Sequence, residues 1–82
     1  MGGLRSGSTV PSQSDFYRAL GANLARVRTR AELTQQDIAD GLERSRSFVC
    51  LVETGRSAMP IHRLVEWCEL LCVKLGAVVP RD

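Results

Sequence analysis

Residues 34–55 read Thr34-Gln35-Gln36-Asp37-Ile38-Ala39-Asp40-Gly41-Leu42-Glu43-Arg44-Ser45-Arg46-Ser47-Phe48-Val49-Cys50-Leu51-Val52-Glu53-Thr54-Gly55. The stretch holds the start and end signals of two short helices. Thr34 offers a side-chain acceptor ahead of the turn Gln35-Gln36-Asp37, and Asp37 stands where a capping box needs an acid. Ile38, Ala39 and Leu42 fall on one side of that helix. Glu43-Arg44 is a tight turn, and Ser45 is a second N-cap. The helix that follows is predicted to run to about Thr54, with Val49 and Val52 facing inward. Gly55 supplies the left-handed residue that commonly ends a helix. Two short helices across a tight turn, the second with a polar start, make a helix-turn-helix.

Outward from this pair the chain remains helical. Phe16, Leu20, Leu24, Val27 and Ala31 recur at three- and four-residue spacing, which predicts an amphipathic helix beginning after Ser14, with Asp15 in its first turn. Pro60 is expected in the first turn of a fourth helix, whose apolar face is Ile61, Leu64, Val65, Cys68, Leu71 and Cys72. Trp67 is assigned to the core side of that helix. Val73-Lys74-Leu75-Gly76-Ala77-Val78-Val79 is rich in β-branched residues, alternates roughly, and stops at Pro80. It is read as a short β-strand, with an extended tail as the alternative. A lone strand needs a partner, so this reading points to a homodimer paired through its tails. Residues 1–14, rich in Gly and Ser, are expected to be a flexible arm. The expected architecture is all-α: a compact four-helix domain over residues 15–72, then a C-terminal strand or tail over 73–82.

Size and composition narrow the function. With 82 residues the chain has room for one domain. It is 44% hydrophobic, but its aromatics are only Phe16, Tyr17, Phe48 and Trp67, enough for a small helical core and too few for a large enzyme pocket. The net charge of +2 hides strong patterning. Residues 1–31 carry five Arg against one Asp, 32–43 carry four acids and no cation, and 44–63 carry four Arg against Glu53. Arginine suits bidentate contacts to phosphate and guanine. No run of apolar residues is long enough for a membrane helix, and no secretory signal follows the N-terminus. Cys50, Cys68 and Cys72 are odd in number and lack a CxxC pair, which points to a reducing cytoplasm. Together with His62 they nominally supply a Cys3His zinc set. Cys68 is expected instead to be a small core hydrophobe and His62 a surface residue, so no metal or cofactor is expected. No nucleophile–base arrangement, phosphate loop or acid pair is present in the sequence, and no enzyme activity is expected.

Three fragments carry a family resemblance: Leu33-Thr34-Gln35-Gln36-Asp37-Ile38-Ala39, Ser45-Arg46-Ser47-Phe48-Val49 and Val52-Glu53-Thr54-Gly55. Together the sequence resembles the Cro and lambda-repressor-like (XRE) helix-turn-helix proteins over roughly residues 16–73. The resemblance implies that Gln35 holds a phosphate and braces the second helix of the motif. It implies that Arg46 and Ser47 read bases, that Cys50 and Leu51 face the groove, and that Thr34, Arg44, Ser45 and Arg56 touch the DNA backbone. It also implies a structural ion pair between Arg28 and Glu53. The chain departs from the family pattern at Glu43 and Glu32, where Gly is common, and at Pro60, one position late. Phe48, Cys50 and Leu51 make the outer side of the reading helix unusually apolar.

On this reading the chain is a cytoplasmic, sequence-specific regulator of transcription, a repressor, with no membrane contact. It associates with the nucleoid when bound to double-stranded DNA, as a homodimer on a near-palindromic operator. The competing readings are an antitoxin that binds a toxin and represses its own operon, and a helix-turn-helix-derived protein-interaction module using Phe48, Cys50 and Leu51.

Overall fold

The structure, a computed structural model, describes residues 13–80, with side chains from residue 15 onward. Four α-helices, α1 (Gln13–Arg30), α2 (Gln35–Leu42), α3 (Arg46–Glu53) and α4 (Ile61–Leu71), are followed by a 3₁₀ turn at Leu75–Ala77. The fold is therefore all-α, as expected.

The first helix begins at Gln13, so Ser14 lies inside it and is not its cap. The expected arm falls otherwise on residues 1–12, outside the described residues. Pro60 is the N-cap of α4 and not part of its first turn. Its ring locks φ near −65°, compatible with the extended cap position observed.

The core is one cluster drawn from every element. Leu20 and Leu24 of α1 meet Ile38, Ala39 and Leu42 of α2, Val49 and Val52 of α3, and Leu64, Trp67, Cys68 and Leu71 of α4. Trp67 is fully buried at its centre. Its indole N–H has no hydrogen-bond partner among the described residues, an unfavourable burial that the ring's apolar contacts must offset. Gly21 sets how closely α1 and α3 approach. A Cβ built there would lie 2.2 Å from the Val52 carbonyl oxygen and 2.7 Å from that of Glu53. Only glycine lets the α3 C-terminus rest on the α1 backbone.

Residues 73–79 are not a strand. Cys72 ends α4 in the left-handed conformation (φ 59°, ψ 39°), and the Val73 N–H returns to the Cys68 carbonyl. The chain then satisfies its backbone locally: the N–H groups of Ala77, Val78 and Val79 donate to Lys74, Leu75 and Leu75 carbonyls. Val78 drops into the core, fully buried, while its carbonyl accepts a 2.7 Å hydrogen bond from Asn23 Nδ2. Short-range hydrogen bonds and one core contact replace the sheet partner that a strand would need. The tail pairing inferred from the strand loses its basis with it.

Candidate nucleic-acid interface

The site is built from two helix starts. At α2, the Asp37 N–H donates to Thr34 Oγ1 (3.0 Å) and the Thr34 N–H donates to Asp37 Oδ2 (2.8 Å), so the capping box is complete even with the shorter Asp. The Thr34 backbone N–H holds the Asp37 carboxyl below its ordinary pKa, and the Thr34 hydroxyl adds to the effect. At α3, Ser45 Oγ accepts from the Phe48 N–H at 3.1 Å. The turn between the helices passes through Glu43 in the left-handed region (φ 58°, ψ 42°), and the Arg44 N–H then closes on the Ala39 carbonyl at 2.9 Å. A side chain in that conformation costs about 1 kcal/mol relative to glycine.

Glu53 locks the pair to α1. Arg28 donates from Nε to Oε2 (2.6 Å) and from an NH2 group to Oε1 (3.1 Å), while its other guanidinium nitrogen donates to the Leu33 carbonyl at 2.8 Å. Gln35 Nε2 donates to the same Glu53 Oε1 at 3.0 Å. The Glu53 side chain is 5% exposed and that of Arg28 16%. Two elements, α1 through Arg28 and the α2 start through Gln35, converge on the carboxylate at the α3 end, and Arg28 ties the α1–α2 loop to the same point through the Leu33 carbonyl. The expected Arg28–Glu53 pair is thus present, and Gln35 braces α3 as part of it.

The remaining candidates, Arg56 excepted, line shallow surface hollows around the starts of α2 and α3. Gln35 and Arg46 together line two shallow hollows, of about 430 and 360 Å³; Thr34 borders the first and Ser47 and Cys50 the second. A third hollow of about 630 Å³ runs from Arg44, Ser45, Ser47 and Leu51 to Ser57, Pro60, His62 and Arg63 at the start of α4. Thr34, Arg44, Ser45, Arg46, Ser47, Cys50, Leu51 and Arg56 are all exposed. Arg56 follows Gly55, whose φ of +77° carries the chain back past Arg18, and it lines none of these hollows.

The arginines divide by role. Arg28 is held by Glu53 and the Leu33 carbonyl, Arg26 donates to Asn23, and Arg63 reaches the Leu42 carbonyl (2.8 Å) and Glu66 (3.1 Å). Arg18, Arg30, Arg44, Arg46 and Arg56 are exposed and make no hydrogen bond or ion pair among the described residues, and of these only Arg44 and Arg46 flank the Ser45 cap at the start of α3. Arg44 instead lies over the Phe48 ring, 4.4 Å from its centroid. Sequence reasoning assigned Phe48 to an outward apolar surface. It is half-buried, packed on the core on one side and under Arg44 on the other.

The thiols separate in the same way. Cys50 on α3 and Cys72 at the end of α4 are exposed. Cys68 is buried, and burial raises its pKa. Among the described residues no three His, Cys, Asp or Glu side chains gather where they would hold a metal ion. No described helix is long and apolar enough to cross a membrane.

Comparison with known proteins agrees with this geometry. None of the curated proteins compared with the chain matches it. Among solved structures, the clp gene regulator ClgR from Corynebacterium glutamicum superposes with a TM-score of 0.74 at 25% identity, over 83% of each chain. The DNA-binding domain of BldD gives 0.73 at 25% identity, over 82% of this chain and 97% of that one. The restriction-modification controller protein C.AhdI from Aeromonas hydrophila shares the fold, with a TM-score of 0.72 at 22% identity over 76% of this chain and 94% of its own. The family described as a helix-turn-helix domain matches residues 19–81, well over half of the chain. The protein belongs to that family, in its Cro and lambda-repressor-like (XRE) form.

Proposed function

We propose that this protein is a DNA-binding regulator of transcription that reads a specific operator with α3 in the major groove and represses from it. The observation that carries the reading is the pair Arg44 and Arg46. Both are exposed and free of protein acceptors at the start of a helix whose opposite face is core, whereas Arg28 and Arg63 are committed to the scaffold. A helix presented in this way places its N-terminal side chains against base edges. The likeness to the DNA-binding domain of BldD and to the regulator ClgR supports the same reading.

In this arrangement Arg46 and Ser47 read bases, Cys50 and Leu51 meet the groove wall, and Thr34, Gln35, Arg44, Ser45 and Arg56 lie along the phosphates. Gln35 has one amide hydrogen on Glu53 and a second for a phosphate. With the tail pairing gone, the homodimer on a near-palindrome, with half-sites roughly 34 Å apart, rests on the usual docking of this motif alone. A cytoplasmic, nucleoid-associated location follows from the same reading.

Fluorescence polarisation with the DNA upstream of the gene and with random duplex, at about 50 and 200 mM salt, tests this. Wild type is expected to prefer its own DNA and to weaken steeply with salt, and Arg46→Ala to lose the preference. Equal, weak binding of wild type to both duplexes refutes sequence-specific repression. Co-purification with a second small protein from the same operon would identify the antitoxin form of this function.

A further inference from the structure

We propose that Phe48 is a positioning residue: its ring holds the Arg44 guanidinium at the start of α3, poised for a DNA phosphate. The inference rests on the DNA-binding reading above and assigns a side chain which that reading leaves without a role.

Three constraints converge on Arg44. Its backbone is fixed by the left-handed Glu43 and by the N–H bond to the Ala39 carbonyl. It stands immediately before the Ser45 cap. Its guanidinium lies over the Phe48 ring at 4.4 Å. Phe48 is itself fixed twice, since its N–H is the one that Ser45 Oγ accepts and its side chain packs on the core. The ring is therefore a rigid platform and the arginine is the mobile partner.

Stacking suits this task better than an ion pair would. A cation held over a ring face is attracted without its N–H groups being used as hydrogen-bond donors to a carboxylate. A carboxylate partner would occupy those donors and cancel the charge, as Glu53 does for Arg28. No protein acceptor takes the Arg44 donors among the described residues, so the stack orders the side chain and leaves its hydrogen-bonding edge and its charge for a phosphate. Ordering a long side chain before binding removes part of the entropy that binding would otherwise oppose.

The test is a double-mutant cycle on duplex binding with Arg44→Ala, Phe48→Leu and the double variant, with Phe48→Tyr as the conservative control. Each variant's thermal melt would be recorded alongside. Arg44→Ala is expected to weaken binding to specific and random duplex alike and to flatten the log Kd against log salt slope by about 0.9, one phosphate contact. Phe48→Leu should weaken binding about two- to fivefold, the range of an exposed cation–π contact. It should have no further effect once Arg44 is Ala, and Phe48→Tyr should restore wild-type affinity. If Phe48→Leu weakens binding equally in both backgrounds, Phe48 acts only through the fold and the proposal is overturned. If wild type binds with steep salt dependence and Arg44→Ala changes neither affinity nor slope, the proposal fails while the DNA-binding reading stands. A wild type that binds no duplex at all overturns both.

Discussion

Arg28 and Glu53 are joined by two hydrogen bonds, Nε to Oε2 at 2.6 Å and NH2 to Oε1 at 3.1 Å, across 25 residues of sequence. The pair is largely out of solvent, and the same carboxylate also takes the Gln35 amide. Removing Glu53 alone leaves the Arg28 cation poorly compensated and three donors, two of Arg28 and one of Gln35, without their acceptor. Glu53→Ala is expected to lower the unfolding free energy by about 3 kcal/mol. Replacing both partners by apolar residues, Arg28→Met with Glu53→Leu, should be less harmful than the sum of the two single changes. Urea melts of the four chains measure this; additive losses would show that the two residues act independently.

Gly21→Ala should destabilise the fold. Alanine normally favours a helix interior over glycine by about 1 kcal/mol. Here the added carbon meets two backbone carbonyl oxygens that no rotamer can move. Overpacking of this kind costs about 1–3 kcal/mol beyond the propensity gain. A drop in melting temperature of several degrees is expected. A variant that melts at or above the wild-type temperature would show that α3 has room to shift.

Glu43→Gly should stabilise. The position is left-handed, and its side chain takes part in no hydrogen bond or ion pair among the described residues. Relief of about 1 kcal/mol of strain, reduced by glycine's greater freedom when unfolded, leaves a net gain of a few tenths to about 1 kcal/mol. A lower melting temperature would mean that Glu43 makes a contribution outside the turn.

The two shifted groups set opposite limits on pH. The Asp37 carboxyl is held below its ordinary value by the Thr34 N–H, so its contribution is whole at neutral pH. That contribution is lost as pH falls below 3.8 and through the lowered value. Asp37→Asn should flatten the acid limb of a stability–pH curve. The buried Cys68 thiol is raised above its ordinary 9.0, so its contribution is whole below that pH and is lost as pH climbs through the raised value. Cys68→Ala should flatten the alkaline limb. Thiol counting with a maleimide gives a separate reading: Cys50 and Cys72 should label in the native protein, and Cys68 only after unfolding.

The parts of this molecule that follow local rules were legible in the sequence. Thr34 with Asp37, Ser45 and the left-handed Gly55 are decided within a few residues of chain, and the helix-turn-helix follows from them, while the left-handed Glu43 was marked only by the family pattern. The Arg28–Glu53 pair joins distant residues and was legible only through the family pattern. Residues 73–79 misled because alternation is also what a chain shows when it turns once and drops a single valine into a core. Val78 reaches its place through α4 and Asn23, which no local pattern records. Gly21 gave a weak signal, a glycine inside a helical repeat. The Arg44–Phe48 stack was hidden because an aromatic on the outer half of a helix reads as exposed until the residue covering it is placed. The four-residue spacing of the two was its only sequence trace.

The two faces of α3 have separate duties. Val49, Val52 and Glu53 hold the helix to the domain, while Arg46, Ser47, Cys50 and Leu51 point outward, and their side chains form no hydrogen bond or ion pair among the described residues. Substitutions at those four positions leave every anchoring contact intact. If these side chains read DNA, as proposed, a descendant of this protein changes the sequence it prefers one residue at a time without touching the contacts that anchor the helix. On that proposal, divergence in target and persistence of fold are, in this helix, independent characters.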